Sequence, residues 1–498
     1  MRRFVSQSRK AVRLLGIVFF SLSIISCQEK PEDTRPNFLF VLSDDQSWAH
    51  TSFAGYPLVS TPNFDRIARE GLYFANAFVT APTCTASRSS ILSGQPIWRL
   101  GSAANLHGEY SPQMISFQQI LVEQGYFVGF TGKGWGPGLI PEERQSSVYP
   151  LGRNFSAIKR EVPSWIGPVD YAANFAKFLD AREEGVPFSF WVGSVEPHRP
   201  YSPNRVNRFD EREKEQFIPE VLPNTPEVQN EFSAYLDEIE FFDRDLGSLI
   251  EILSARGLLE NTVVIVTSDN GMPFSRGKPT NGRYGVQVPL SIRWGGVIQP
   301  GRVIEDFVSL ADIAPTLLDL AGVVQPSQMT GRSLKYALIS NEAGIIDTSR
   351  DASFSAFERH AGFIRGGAAN LTYPRRAIHT KHYDYIRNYY PERWPAGDPP
   401  DFLEAYPHLL RAFGNTMEPY FTYATQKQPA EELYDISSDP NQINNLADID
   451  AYASVKTMLA DRLHKELVKT GDPLEISGQD PFQSYGYFGP EQPKADKK

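Results

Sequence analysis

Cysteine is nearly absent: Cys27 and Cys84 are the only two in 498 residues. A scaffold held by several disulfides is therefore excluded. Positive charge is also short. The 59 acidic side chains outnumber the 49 Lys and Arg and leave a net charge of -10. That excludes a nucleic-acid protein reading phosphates through a broad basic surface, although a local basic pocket stays open. No internal repeat or long low-complexity tract follows the leader, which excludes a solenoid. What the chain does have is length and apolar content. With 498 residues and 41% hydrophobic side chains, it can build one large α/β domain with a smaller one appended.

The first residues carry Arg2, Arg3, Arg9, Lys10 and Arg13, followed by an apolar run from Leu14 to Ile25. A basic start and a short apolar run mark a signal peptide, and the run is short for a membrane-spanning helix. Ser26-Cys27 closes it with a spacing that resembles a bacterial lipobox. The expectation is a lipoprotein signal peptide over 1–27, lipidation of Cys27 and a tether over 28–36. The protein would then be exported and lipid-anchored to a bacterial membrane, at its periplasmic face or at the cell surface. A plain signal peptide or a short membrane anchor are the alternatives. With Cys27 acylated, Cys84 has no disulfide partner, so it is either buried and inert or chemically used.

Short β-rich apolar runs at Phe38 to Leu42, Tyr126 to Thr131, Phe188 to Val192 and Thr262 to Thr267 read as buried strands. A helix is expected from Thr61 to Arg69, with Thr61 as N-cap and Pro62 as first helical residue. A longer one covers about Pro226 to Arg256, where Tyr235, Ile239, Phe242, Leu246, Ile250 and Leu253 recur at three- and four-residue steps. Strands alternating with helices predict a largely parallel sheet covered on both faces. From about Thr348 the texture turns aromatic, Arg- and Pro-rich, as in Tyr373 to Trp394, and a last amphipathic helix is expected over Ala451 to Thr470. This divides the chain into a large domain over 37–347, a C-terminal subdomain over 348–480 and a polar tail over 481–498.

The first strand runs into Ser43-Asp44-Asp45-Gln46, and the strand ending at Thr267 runs into Ser268-Asp269-Asn270-Gly271. Ligands of an open α/β sheet gather at the carboxyl ends of its strands. Adjacent carboxylates there repel one another, and a divalent cation relieves the repulsion. Asp is also common in solvated turns, and one such cluster alone would be read that way. Two in one domain point to a metal site. Asp44, Asp45, Asp269 and Asn270 offer oxygen only, which suits Ca2+ or Mg2+ and disfavours zinc.

Between these ends lies Pro82-Thr83-Cys84-Thr85-Ala86-Ser87-Arg88. With the motifs in this order, the chain from about Pro36 to Pro473 resembles the type I sulfatases, whose signature is Cys-x-Pro/Ala-x-Arg. The resemblance implies an alkaline-phosphatase-like α/β sandwich, with a large mostly parallel sheet and a C-terminal subdomain bearing a short antiparallel sheet. It also implies that a formylglycine-generating maturation enzyme oxidises Cys84 to formylglycine (3-oxoalanine), which joins the metal site. In the family, one hydroxyl of the hydrated aldehyde attacks sulfur and the other later expels sulfate. Arg88 would help to hold this group. Lys133, in Phe130-Thr131-Gly132-Lys133-Gly134, and Lys278, in Arg276-Gly277-Lys278, would neutralise sulfate charge. His198, in Glu196-Pro197-His198-Arg199-Pro200-Tyr201, would protonate the leaving atom. The chain departs from the family at Gly132-Lys133-Gly134-Trp135-Gly136. Many members have Gly-Lys-Trp-His or Gly-Lys-Lys-His there, so the histidine that contacts formylglycine is replaced by Trp135, whose indole can only donate.

Ser268-Asp269-Asn270-Gly271-Met272-Pro273-Phe274, Leu106-His107 and Glu432-Leu433-Tyr434-Asp435 through Asp439-Pro440 resemble the heparan N-sulfatase (sulfamidase) branch. That implies a sulfated oligosaccharide or polysaccharide substrate, losing either N-sulfate from glucosamine or O-sulfate. His107, Glu358, Arg359 and His360 are the candidates for recognising sugar, with ordinary surface polar residues as the alternative. Two other functions stay in view. One is an alkaline-phosphatase-like phosphohydrolase with a Ser or Thr nucleophile and two zinc ions, against which stand Cys84 and the few histidines near the acidic ends. The other is a catalytically silent glycan-binding lipoprotein whose Cys84 is never matured.

Overall fold

The computed structural model describes residues 34–111, 113–141, 150–202, 208, 217–360, 371–393 and 427–489. The expected leader with Cys27, most of the expected tether, Trp394 and the stretch from 490 lie outside the described residues.

The main sheet is built from β1 (Asn37–Ser43), β2 (Leu72–Phe78), β3 (Phe127–Gly132), β4 (Arg153–Asn154), β5 (Phe188–Gly193), β6 (Thr262–Ser268), β7 (Leu290–Trp294) and β8 (Arg302–Ser309). Their order is β4-β3-β5-β1-β6-β7-β2-β8. Only β7 runs against its neighbours, and the other pairings are parallel. Every residue of β1 and β6 is buried, because helices cover both faces of the sheet. A strand buried on both faces reads in sequence as a continuous apolar run.

Alternation along the strands sorts those runs between two cores. Phe38, Phe40, Val263 and Ile265 pack in one core with Ile91 of α2 (Cys84–Ser93), Phe117 of α3 (Phe117–Glu123) and Leu317 of α6 (Ile313–Leu320). Leu39, Val41, Val264 and Val266 pack in the other, with Ile67 of α1 (Pro62–Glu70), Phe175 of α4 (Tyr171–Asp180) and Leu246 of α5 (Pro226–Ala255). Thr61 stands at the N-cap position of α1 without capping an amide. Its hydroxyl donates instead to Asp65 Oδ1 at 3.2 Å.

The smaller sheet is antiparallel, in the order β12-β11-β10-β9, from β9 (Ala352–Phe357), β10 (Arg375–Thr380), β11 (Tyr383–Asn388) and β12 (Glu431–Asp435). Ala356, Ile378, Leu433 and, from helix α7 (Ala453–Thr470), Leu459 and Leu463 belong to the same core as α2. The two sheets therefore share one interior. The stretch expected as a polar tail from 481 is folded as far as the described residues reach. Pro481–Ser484 make a 3-10 turn and Phe482 is buried.

Candidate active site

Four neighbouring strands of the main sheet end on the same side. β1 and β6 pair in register up to Ser43 and Ser268, so Asp44-Asp45 and Asp269-Asn270 leave the sheet side by side. On the other side of β1, β5 leads to Glu196 and His198. The Asp44 N–H donates to the Glu196 carbonyl at 2.9 Å. Beyond β5, β3 ends at Gly132, and the Lys133 N–H donates to Gly193 O at 2.7 Å. Glycine is required at this crossing. A Cβ on Gly193 would stand 1.8 Å from Lys133 O, and one on Gly132 would stand 2.1 Å from Gly193 O. Asp45 takes a φ of 75°, a left-handed conformation that non-glycine residues adopt only under constraint. Here its N–H is held by Asp269 Oδ1 at 3.2 Å.

Cys84 is the first residue of α2, a helix with every residue buried. Its Sγ lies 3.6 Å from Asp44 Oδ1 and 3.1 Å from Lys278 Nζ. Lys278 also reaches Asp45 Oδ1 at 2.8 Å, and Lys133 reaches Asp44 Oδ2 at 2.5 Å. Arg88, one turn along α2, donates through Nε to Asp269 Oδ2 at 2.8 Å and through Nη1 to the carbonyls of Lys133 and Gly134. His198 Nε2 is 3.8 Å from Asp45 Oδ2, and its Nδ1 lies 2.7 Å from the carbonyl of Arg199. A carbonyl only accepts, so Nδ1 carries a proton.

Three carboxylates thus face three permanent cations around one thiol. Burial acts to raise the Asp44 carboxyl, but Lys133 and the other cations hold it down at about 2. The same burial pushes the Cys84 thiol up to about 12, against the pull of Lys133 and Lys278. Burial works against the charge on Lys278, yet the carboxylates, Asp45 first, keep its ammonium well above the ordinary range. The donor set fits a hard divalent cation. Ligand atoms of Asp44, Asp45 and Cys84 lie within 4.8 Å of one another. The buried Asn270 Oδ1 has no hydrogen-bond partner, although its Nδ2 donates to Asp45 Oδ1 at 2.6 Å. A buried amide oxygen left over beside two carboxylates is the kind of atom a cation completes.

The structure therefore brings together Asp44, Asp45, Cys84, Arg88, Lys133, His198, Asp269, Asn270 and Lys278. The four sugar candidates divide. His360 is buried, with Nδ1 3.1 Å from the hydroxyl of Thr83, next to Cys84. Burial first, and then the charges of Lys278, His107, His198 and Lys133, hold its imidazole well below the usual range, in the neutral form. His107 is partly exposed, takes a φ of 55°, and has its ring edge-on to Tyr487 with centroids 5.1 Å apart. Glu358 and Arg359 are not surface groups. Glu358 pairs with Arg376 at 2.7 Å in full burial, and Arg359 donates to the carbonyls of Tyr485 and Gly486. One pairing and one segment escaped the sequence reading. Thr83 was in view as the residue before Cys84, but nothing local announced His360 as its partner. The segment Tyr485 to Gly489 closes over His107, with Phe488 N donating to His107 O at 2.8 Å; its run of aromatics and glycines was the available signal. Trp135 turns into the core. Its Nε1 donates to Ser89 Oγ at 2.6 Å and its ring stands edge-on to Tyr110.

Comparison with known proteins agrees with this geometry. The sulfatase family model matches residues 36–323, and the model of the N-sulphoglucosamine sulphohydrolase C-terminal region matches residues 283–398. Human N-sulphoglucosamine sulphohydrolase is 28% identical over 90% of this chain and 92% of its own length. An ulvan-active sulfatase of Formosa agariphila is 26% identical over 98% of this chain and 93% of its own. A structure solved with its substrate D-glucosamine-2-N,6-O-disulfate superposes with a TM-score of 0.64 at 21% identity, covering 89% of this chain and 100% of that one. With more than half of its length matched by the family model, this chain belongs to the sulfatase family.

Proposed function

We propose that the chain releases sulfate from a sulfated glycan, with residue 84 acting as formylglycine and a divalent cation held by Asp44, Asp45, residue 84, Asp269 and Asn270. The observation that carries this reading is the setting of Cys84. A thiol that is kept protonated, among three carboxylates and three cations, is a poor nucleophile as cysteine. Its Sγ stands where the oxygens of the matured side chain would be. Formylglycine and the cation together supply an activated oxygen nucleophile and a Lewis acid at the sulfate.

The chain's own groups do the rest. Lys133 and Lys278 present ammonium groups beside residue 84, where they offset the negative charge of the sulfate. Arg88 holds Asp269 in place and ties the Lys133 segment to α2. His198 keeps Nδ1–H on the Arg199 carbonyl, so Nε2 is the nitrogen that exchanges a proton with the leaving oxygen or nitrogen. His360 and His107 stand on the C-terminal side of the cluster as sugar contacts. Glu358 and Arg359 shape that side from behind. The relatives named above include a sulfamate hydrolase and an ulvan-active enzyme, which supports a sulfated glycan and leaves both N- and O-linkages as substrates to test. A two-zinc phosphohydrolase draws no support: among the described residues, His, Cys, Asp and Glu ligands gather at the Asp44-Asp45-Cys84 point.

The test is sulfate release from N-sulfated heparan disaccharides and from ulvan, carrageenan and fucan oligosaccharides, after coexpression with a maturation enzyme. We expect release from at least one class, together with a Cys84 peptide whose mass shows the aldehyde. An unconverted thiol, or a fully converted protein that is silent on all of them, would overturn the proposal. The lipid anchor at Cys27 is part of the same reading. Radiolabelled palmitate should enter the wild type, whereas Cys27→Ala should be unlabelled and released from membranes.

A further inference from the structure

A cavity of about 390 Å³ opens between β8, β9 and α7, and it shares no lining residue with the Cys84 cluster. Its volume is that of a small-ligand site. Three of its lining side chains carry buried polar atoms without a hydrogen-bond partner: Thr80 Oγ1, Ser353 Oγ and Arg350 Nε. All three residues are at least nine-tenths buried. These atoms lie beneath the surface of the lining, and Arg350 Nε stands 3.8 Å from Asp347 Oδ2, so what a ligand meets here is set by the charged side chains of the rim and the apolar wall. Trp98, Phe307 and Phe354 supply apolar wall beside them.

The charge of the lining runs opposite to that of the protein. Five cationic residues line the cavity against three carboxylates, in a chain whose net charge is -10. Arg350 is tied to Asp312 at 2.6 Å and Arg462 to Asp351 at 2.8 Å. Lys465 is exposed and has no carboxylate within ion-pairing distance among the described residues, and Lys469 reaches Glu466 only at 3.4 Å across an exposed surface. The rim thus keeps cationic charge in reserve above an apolar wall. A bare anion would leave most of the volume and the aromatic wall unused.

We infer that this cavity is a second, non-catalytic binding site for an anionic sugar unit, sulfated or carboxylated, of a glycan chain. The inference rests on the sulfated-glycan reading for the identity of that chain. Its consequence is kinetic. A polymer gripped here raises the effective concentration of its sulfates at residue 84, whereas a monosaccharide gains nothing.

Two measurements test the site. On Cys84→Ala protein, titration calorimetry with a heparin-derived octasaccharide should show binding that a Lys465→Ala, Lys469→Ala double variant weakens about tenfold. Both lysines are exposed and outside the catalytic cluster. Ser353→Phe, which adds bulk to the cavity lining, should do the same in protein whose circular dichroism matches that of the wild type. On the matured enzyme, the lysine double variant should raise KM for the polymer several-fold and leave kcat/KM for a sulfated monosaccharide unchanged. Unchanged octasaccharide affinity in the folded variants overturns the site. So does full displacement of the octasaccharide by inorganic sulfate at equal concentration, which marks an anion hole only. If the site holds but the glycan-sulfatase reading fails, the double variant still weakens octasaccharide binding while no sulfate is released from any sugar.

Discussion

Two buried polar centres in this protein have the parts of a hydrolytic site, and only one is open. In the small sheet, Ser355, His379 and Asp384 stand at relay distances: Ser355 Oγ lies 2.9 Å from His379 Nε2, and His379 Nδ1 lies 3.2 Å from Asp384 Oδ2. Those are the separations of a catalytic serine, base and orienting carboxylate. Yet all three residues are 0% exposed. Asn281 Nδ2 also occupies Ser355 Oγ at 2.9 Å. Arg283 takes Asp384 with both Nε and Nη2, at 2.9 and 3.0 Å, and Gln442 adds a third donor at 3.0 Å. The carboxylate is already held by three donors besides the histidine, and the hydroxyl has no path to a substrate. Around Cys84, the side chains of Lys133 and His198 keep 17% and 26% of their surface, and Asn270 Oδ1 remains unpartnered. Distances alone do not make a site. Access and leftover bonding capacity do.

The sharpest way to break this contrast is to delete the two nucleophile candidates. Cys84→Ala should lower sulfate release by on the order of 10⁴-fold or more, whereas Ser355→Ala, if folded, should stay within about twofold of wild type because it changes only a structural hydroxyl. A folded Ser355→Ala protein without activity would put the relay into the reaction. The second test concerns what each carboxylate holds. Asp45→Ala should reduce bound divalent metal from about one per chain to near zero, read by plasma mass spectrometry after gel filtration. Asp384→Asn should leave the metal content unchanged.

The two acidic ends of the Cys84 centre were legible in sequence because each follows a strand buried on both faces, whereas Cys84, Arg88, Lys133, His198 and Lys278 were reached through the resemblance of their motifs. Such a strand is a continuous apolar run, and its polar continuation stands out, as at Asp44-Asp45 and Asp269-Asn270. The relay was not legible, since Ser355, His379 and Asp384 come from three different strands of the small sheet and Arg283, which closes it, lies 101 residues from Asp384. Nor was the fate of Glu358-Arg359-His360. Beyond β9 the chain has no fixed period, and only the fold decided that Glu358 meets Arg376 while His360 meets Thr83. Trp135 was legible as a lost base, but its turn into the core against Ser89 and Tyr110 was not. The antiparallel strand β7 was hidden among its parallel neighbours for a similar reason: burial is the same for either direction.

Stability gives the smaller effects. Arg283→Ala leaves Asp384 charged and buried without its main partner, so it should cost about 3–5 kcal/mol of unfolding free energy in denaturant titration. An active but equally stable variant would show that the small sheet does not depend on this pair.

The smallest effect is read in acid. Although burial works to raise the Asp384 carboxyl, Arg283 and His379 take it from an ordinary 3.8 down to about 2. Because the folded value is the lower one, the unfolded chain binds this proton first as pH falls. The stabilisation is therefore complete above about pH 4 and is lost as pH drops from there through about 2. Converted at 1.36 kcal/mol per pH unit, the contribution is about 2 kcal/mol. Asp44 adds a slope of the same sign, so the total acid sensitivity does not isolate the relay, and a variant must. Asp384→Asn keeps the shape and removes the titration. Its stability should fall less steeply than that of wild type between pH 5 and pH 2, with the two curves converging at the acid end, and parallel curves would show that Asp384 titrates alike in both states.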